Sequence, residues 1–274
     1  LNGVFAVNKP VGLSSYDVVD RLKHLVFGMA PRGAKKARNR FKSKNNYKIG
    51  HGGTLDPMAS GVLVIGMNKG TKVLNDYLNG PKVYVGEGML GSMTDTYDAE
   101  GHLEQTAPYA HVTRETIERV LDQFRGTIQQ IPPKYSALKV NGRPMYDYAR
   151  KGEEIPRELV AREVTIYSLE LEEFTTEHAY KQPRPKPTTD EDATATTTTT
   201  TTTAAMGEAF ILADDDAADK CSDHVASTPA VFRIRVECSG GTYIRSLIYD
   251  IGQAVQSTAH MVSLCRVQQG CFKL

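Results

Sequence analysis

Cysteine is scarce in this chain, with four among 274 residues, at Cys221, Cys238, Cys265 and Cys271. Their spacing matches no metal knuckle and no disulfide framework, which points to a reducing compartment and to no bound metal. A dominant charge is also missing. Lys and Arg total 33 against 32 Asp and Glu, a net charge of +1, so the overall balance names no partner. No apolar run approaches membrane-spanning length and no secretory signal is visible. The chain opens on Leu1 rather than methionine and reads as trimmed. What it does have is 40% hydrophobic residues, ample for one sizeable core or two smaller ones.

Charge is abundant locally. Arg32 to Lys48, "RGAKKARNRFKSKNNYK", is almost purely basic, and nothing acidic interrupts it. It reads as part of a loop insertion over 28–48 suited to a polyanion. "DDDAAD", Asp214 to Asp219, is its acidic counterpart. That acidic run lies in a Pro-, Thr- and charge-biased stretch, 175–227, which has too little apolar surface to offset its ordering entropy. The stretch reads as a disordered insertion between two adjacent strands.

The remaining chain alternates between two periods. "VFAVNKP", "KVYVGEGML", "REVTIYSLELEEF" and "AVFRIRVEC" read as strands, the last with Val231, Ile234 and Val236 inward. "SSYDVVDRLKHLV" reads as a helix capped by Ser14 or Ser15, with Val18, Leu22, Leu25 and Val26 on one face. Thr71 is the expected cap of a short helix through Leu74 and Leu78. "TRETIERVLDQF" is capped by Thr113 and carries the stripe Ile117, Val120, Leu121 and Phe124. "YIRSLIYDIGQAV" closes the series as a helix. Strands and helices in irregular order, without repeated βαβ units, predict an α+β fold with a mixed, largely antiparallel central sheet flanked by helices.

The most loaded stretch is "GHGGTLDPMASGVL", Gly50 to Leu63. Three glycines in four positions permit tight turns or close approach to a ligand. Pro57 biases Asp56 away from helical geometry. An apolar run, Val62 to Ile65, follows and reads as a buried strand. A lone carboxylate is thus set on a rigid turn that leads into a core strand, which suits turn chemistry or catalysis.

Four further stretches decide between them: "VNKPVGLSS" (7–15), "KVYVGEGMLGSMTDTYDAEG" (82–101), "PPKYSALKVNGRPMYDYARKGEEIPR" (132–157) and "SGGTYIRSLIYDIG" (239–252). With the first, and in this order, they resemble the TruB family of pseudouridine synthases, and within it the eukaryotic stand-alone branch acting on the T-loop uridine of tRNA. The resemblance implies the pseudouridine synthase fold with an RNA-gripping thumb at 132–157. It makes Asp56 the catalytic aspartate, Arg245 its paired arginine and Tyr84 the tyrosine that stacks on the target base. It places His51 where it helps hold the flipped-out loop. Tyr243 becomes a pocket wall, and Lys9, Lys134, Tyr135, Lys139 and Arg143 become RNA contacts. It implies a monomeric enzyme of the cell interior (nucleus, mitochondrion or cytoplasm) that needs no cofactor and no membrane. Its partner is the tRNA T-arm, with mRNA sites of similar shape as a further class.

Two departures refine the resemblance. Bacterial members end in a small RNA-binding PUA domain, whereas this chain stops at "GCFKL", so that domain is expected to be absent or trimmed. "HGGTLDP" replaces the commoner bacterial "HTGALDP", which supports the eukaryotic branch. The rival reading is a non-catalytic RNA-binding chaperone on the same fold. A phosphate-cradling P-loop is a poor third, because the required lysine and hydroxyl are missing.

Overall fold

The structure is a computed structural model that describes residues 1–27, 47–186 and 228–274. Most of the expected basic insertion, most of the expected Thr-rich insertion and Cys221 lie outside the described residues. The fold is α+β. In chain order the elements are β1 (Gly3–Lys9), α1 (Ser15–Phe27), β2 (Ile49–His51), β3 (Ser60–Met67), α2 (Leu74–Asn79), β4 (Lys82–Leu90), β5 (Ser92–Thr94), β6 (Leu103–Thr106), α3 (Arg114–Leu121), β7 (Gly126–Gln130), β8 (Lys139–Val140), β9 (Arg143–Pro144), α4 (Met145–Arg150), β10 (Arg162–Thr175), β11 (Val231–Cys238), α5 (Ile244–Ala254), β12 (Ala259–Gln269) and β13 (Phe272–Lys273).

Among the described residues the central sheet runs β1-β3-β12-β4-β11-β10-β7, with β2 on β3 and β13 on β12. Its pairs are antiparallel except β3 with β12, which meet in parallel at Ser60–Cys265 and Gly61–Arg266. Gly61 makes that meeting feasible. It sits at φ +107°, and a Cβ there would lie 2.3 Å from the Arg266 carbonyl oxygen.

α5 covers one face of β4 and β12, and α3 lies beside it against β10. Ile244, Leu247, Ile248 and Ile251 pack there with Ile117, Leu121, Phe232 and Ile234 as a single core. α1 covers β1 and β3 through Val18 and Val19, with Leu22 half-buried beside them. Leu25, expected on that face, is 81% exposed, and Val26 is exposed too. The buried face is therefore one turn shorter than the periodicity suggested.

The caps settle two readings. Ser14 caps α1: its Oγ accepts from Asp17 N–H, and the Asp17 carboxylate accepts from Ser14 N–H. Thr113 caps α3 with Thr116 answering it. Thr71 caps nothing. A 3-10 turn over Asn68–Val73 already precedes α2, and the Thr71 hydroxyl donates to Asn68 O within it.

The expected insertion at 175–227 also begins later than its composition implied. Residues 176–186 pack against the sheet. The Tyr180 hydroxyl donates to Glu87, His178 Nε2 meets Pro229 O at 2.6 Å, and Leu103 N–H donates to Arg184 O at 2.7 Å. Proline-rich backbone can be ordered when such partners satisfy it. The segment 132–157 folds locally as the β8–β9 hairpin followed by α4. Asn141 and Gly142, at φ +51° and +80°, form the two-residue turn that Asn-Gly favours.

No helix among the described residues is long and apolar enough to cross a membrane.

Candidate active site

Within the Gly50–Leu63 stretch a loop joins β2 to β3, and each carbonyl from Gly52 to Pro57 has a hydrogen-bond partner. Gly52 N–H donates to Val64 O at 2.9 Å, and Gly52 O accepts from Gln269 Nε2 at 2.6 Å. Gly53 O and Thr54 O accept from the Arg266 guanidinium at 3.2 and 3.5 Å. Leu55 N–H donates to Ser15 Oγ, which returns its own proton to Leu55 O. Pro57 O accepts from Lys9 Nζ at 3.2 Å and from Gly12 N–H at 2.8 Å. Gly53, at φ +141°, takes a conformation that side chains rarely adopt. Such a loop holds its carboxylate with little freedom left to lose.

Asp56 projects from this loop and is 36% exposed. Its Oδ2 lies 2.9 Å from Arg245 Nε, and Arg245 is only 4% exposed. The rest of the guanidinium is also engaged. Nη1 donates to Thr96 O at 2.8 Å and lies 3.5 Å from Asp98 Oδ2, and Nη2 donates to Tyr135 O at 2.9 Å. A buried arginine bonded on all sides is a fixed positive charge. Asp98 is itself buried, and burial pushes its carboxyl above the usual range against the pull of Arg245. Thr96 Oγ1 donates to Asp98 at 2.6 Å and Glu100 N–H at 3.0 Å.

These groups border a cavity of about 420 Å³. Asp56 and Arg245 stand on one side with Tyr243. Tyr84 and Arg266 form the wall from the sheet, and Ser136 to Leu138 close the side toward the β8–β9 hairpin. Burial raises the Tyr84 phenol above its ordinary pKa, so it is neutral at pH 7. The Arg266 guanidinium, 6.0 Å from its ring centre, opposes that shift. Lys82 lines the same cavity, and burial lowers its ammonium to about 8. No cluster of His, Cys, Asp and Glu among the described residues is arranged to hold a metal ion.

A family model, the TruB family pseudouridylate synthase N-terminal domain, matches residues 38–183. Human Pseudouridylate synthase TRUB1 is 36% identical over all of this chain and 62% of its own length. tRNA pseudouridine synthase 4 of Saccharomyces cerevisiae is 33% identical over all of this chain and 78% of its own length. The chain belongs to the TruB family. In the crystal structure of a Cbf5-Nop10-Gar1 complex, one chain aligns at TM-score 0.54 and 25% identity, covering 99% of this chain and 50% of that one. The chain thus spans about three fifths of the human relative and half of the structural one.

The TruB reading named ten site residues, and the structure brings four of them together at the cavity: Asp56, Tyr84, Tyr243 and Arg245. His51 stands on β2 opposite Ile65, outside the cavity lining. Burial lowers its pKa, and its Nδ1 has no hydrogen-bond partner among the described residues. Lys134 and Lys139 are exposed beside the hairpin, and Tyr135 is half-buried at its base. Arg143 is committed internally. It pairs with Glu153, donates to Asp147 O and lies 4.1 Å over the Tyr148 ring.

Lys9 departs from its expected role as an RNA contact. It is 0% exposed, and its ammonium donates to Pro10 O, Leu13 O and Pro57 O, so it staples the Asp56 loop from beneath. A lysine so enclosed has no proton left for a phosphate.

Sequence reasoning passed over Arg266, Gln269, Lys82 and Asp98. The first two lie on β12, a strand the hydrophobic pattern did not reveal. Asp98 stood in plain view in "TDTYDAEG", one residue beyond a tyrosine, without a role.

Proposed function

We propose that this chain is a tRNA pseudouridine synthase that isomerises the T-loop uridine, position 55, to pseudouridine. The observation that carries this reading is Asp56 at the edge of a base-sized cavity, hydrogen-bonded at 2.9 Å to the buried Arg245. The reaction breaks the bond from C1′ to N1, turns the uracil and joins C1′ to C5. C5 loses a proton and N1 gains one, so the balance needs no cofactor. The carboxylate of Asp56 serves this in either of two ways: covalent attack at C1′, or removal of the 2′ proton to give a glycal.

Arg245 supports either route by holding a positive charge beside the carboxylate. Its engagement by Asp56, Asp98, Thr96 O and Tyr135 O argues against an alternative role as a phosphate contact. Tyr84 supplies the face on which uracil stacks. Burial keeps its phenol protonated, against the opposing pull of the adjacent Arg266 charge. The site is reachable only by a nucleotide turned out of its stack, so the substrate is a loop that can present one. Lys134, Tyr135 and Lys139 beside the cavity suit the phosphates and bases of the T-arm. T-loop-like sites in mRNA fit the same chemistry. We read the acting unit as a monomer inside the cell, in nucleus, mitochondrion or cytoplasm.

The test is incubation with unmodified T-arm RNA followed by chemical mapping of pseudouridine. One modified position is expected in the loop, and none with Asp56→Asn, whose RNA affinity should stay close to that of the parent. RNA binding without product by the parent protein would favour the chaperone reading instead.

A further inference from the structure

Tyr97 has a left-handed backbone, φ +61°, in the loop between β5 and β6. A bulky residue in that region is strained, and its surroundings must hold it there. Two backbone bonds do so. Tyr97 N–H donates to Thr94 O at 3.0 Å, and Tyr97 O accepts from Met261 N–H at 2.9 Å. The side chain supplies a third anchor. Its ring lies on that of Tyr249 with centroids 4.5 Å apart and planes 17° from parallel.

The placement of this stack is informative. Tyr249 is on α5, four residues beyond Arg245 and on the same side of the helix. The two residues flanking Tyr97 both engage Arg245: Thr96 through its carbonyl and Asp98 through its carboxylate, at the same nitrogen, Nη1. The left-handed turn at Tyr97 aims these two groups at one guanidinium. Neither tyrosine lines the cavity, so neither is placed to touch a base held there.

We infer that Tyr97 and Tyr249 form an aromatic clamp that docks the 94–99 loop onto α5 and thereby sets Arg245 against Asp56. They are positioning residues, acting through Thr96, Asp98 and Arg245 on the carboxylate. The inference rests on the isomerase reading for its effect on rate, though not for the docking itself. The strained backbone is matched to this task. Relaxation of Tyr97 toward ordinary φ would turn the Thr96 carbonyl and the Asp98 carboxylate away from Nη1. Arg245 would then keep Asp56 and Tyr135 O as partners but lose the two that fix its other side.

Four substitutions test the clamp. Tyr97→Gly keeps the left-handed backbone accessible and removes the ring, and Tyr249→Leu keeps apolar bulk and removes the stack. Tyr97→Phe and Tyr249→Phe retain both rings. Single-turnover rate at saturating T-arm RNA should fall about 10- to 100-fold in the first two, as expected for misplacement of a reacting group. RNA affinity should stay within about 2-fold of the parent, since neither ring lines the cavity. The Phe variants should run within about 2-fold of the parent. Tyr97→Gly should add little to Asp98→Asn, because residues acting through one partner are not additive.

Amide exchange at Met261, whose N–H is held by Tyr97 O, gives a readout independent of turnover. It should speed up in Tyr97→Gly and Tyr249→Leu and not in the Phe variants. Unchanged rate, or unchanged Met261 exchange, in the first two would overturn the clamp. So would a loss of affinity with full rate at saturating RNA, which would make the pair a stacking surface for RNA. Should the parent itself form no pseudouridine, the isomerase reading fails and Met261 exchange alone decides whether the clamp exists.

Discussion

The Asp56 loop and the segment Ser136–Leu138 that leads into the β8–β9 hairpin line the same cavity, and the loop and the hairpin are held in opposite ways. The loop is tied to six residues from other parts of the chain, Lys9, Gly12, Ser15, Val64, Arg266 and Gln269, with Arg245 on its carboxylate. Most of those partners are buried. The hairpin is held mainly by itself, through two-residue strands, the Asn141–Gly142 turn, the Arg143–Glu153 pair and the Arg143–Tyr148 stack. Its chief links to the core are the buried Met145 and the bond from Arg245 to Tyr135 O. On the proposed reading, a group that must hold one geometry through bond breaking is fixed by buried long-range contacts, and a segment that must yield to an incoming RNA is fixed by local and exposed ones. Arg245 is the joint between the two regions.

The largest effect should therefore come from that joint. Arg245→Met leaves Asp56 and Asp98 facing each other without a cation. Breaking a buried pair in this way costs roughly 3–5 kcal/mol, or is relieved when the carboxylates hold a proton between them. The single-turnover rate at saturating RNA should fall at least about 100-fold. It should recover partly toward alkaline pH, where that proton leaves. Rescue by excess RNA with no change in the pH profile would make Arg245 an RNA contact and would dissolve the contrast between loop and hairpin.

The same contrast explains what could be read from sequence. The Asp56 loop announces itself through glycine and proline, whose backbone constraints are written in the residue type. Asn141–Gly142 is the same kind of signal. β12 is silent because it is buried on both sides and spends that burial on His260, Arg266 and Gln269. A polar residue buried by hydrogen bonds to distant carbonyls looks, in one dimension, like a surface residue. Lys9 was misread for that reason, and Leu25 for the converse one, an apolar residue that the helix leaves in solvent. The start of the Thr-rich stretch is misplaced because Tyr180 and His178 find partners, Glu87 and Pro229 O, far away in sequence. Five ordered motifs sufficed for the family; the network that positions them depends on pairings that only the fold creates.

A second prediction sets activity against stability inside the rigid region. Asp250, on α5 beside Tyr249, is raised from 3.8 to about 6 by burial alone. Its folded pKa lies above its unfolded one. The folded state is therefore favoured below about pH 4, and that advantage is lost as pH rises through 6. Asp250→Asn should then stabilise the protein at pH 7.5 by about 1–3 kcal/mol and have no such effect below pH 4. Denaturant unfolding at the two pH values measures the difference. An equal gain at both would assign the effect to packing rather than to charge.

On the hairpin side, Arg143→Ala removes the Glu153 pair and the Tyr148 stack while leaving the core untouched. Melting temperature should hardly move, as for other exposed pairs. T-arm affinity should fall about 3- to 10-fold, mostly through faster release, because a loosened segment must be ordered again on binding. A large drop in melting temperature with unchanged affinity would show the hairpin to be part of the core after all.

The smallest effect separates two cuts through the Thr-rich stretch. Replacing 187–227 with a short Gly-Ser linker should leave melting temperature and turnover as they are, since that composition offers little apolar surface to a core. Extending the cut back to Glu177 removes Tyr180 and His178. Burial pushes Glu87 upward, but the Tyr180 hydroxyl and Arg233 outweigh it and hold the carboxyl below its ordinary pKa. The carboxylate would then keep Arg233 and lose its phenol donor. A hydrogen bond of this kind contributes about 1 kcal/mol net, and its loss should lower the melting temperature by a few degrees without touching the rate. The linkage sign follows from the lowered pKa: the contribution is present above the unfolded pKa of Glu87 and fades as pH falls through the folded one. The gap between the two cuts should accordingly close in acid. A gap that persists there would trace the loss to other bonds of this segment, His178 with Pro229 O and Leu103 N–H to Arg184 O, and equal melting temperatures for both cuts at neutral pH would return residues 177–186 to the insertion.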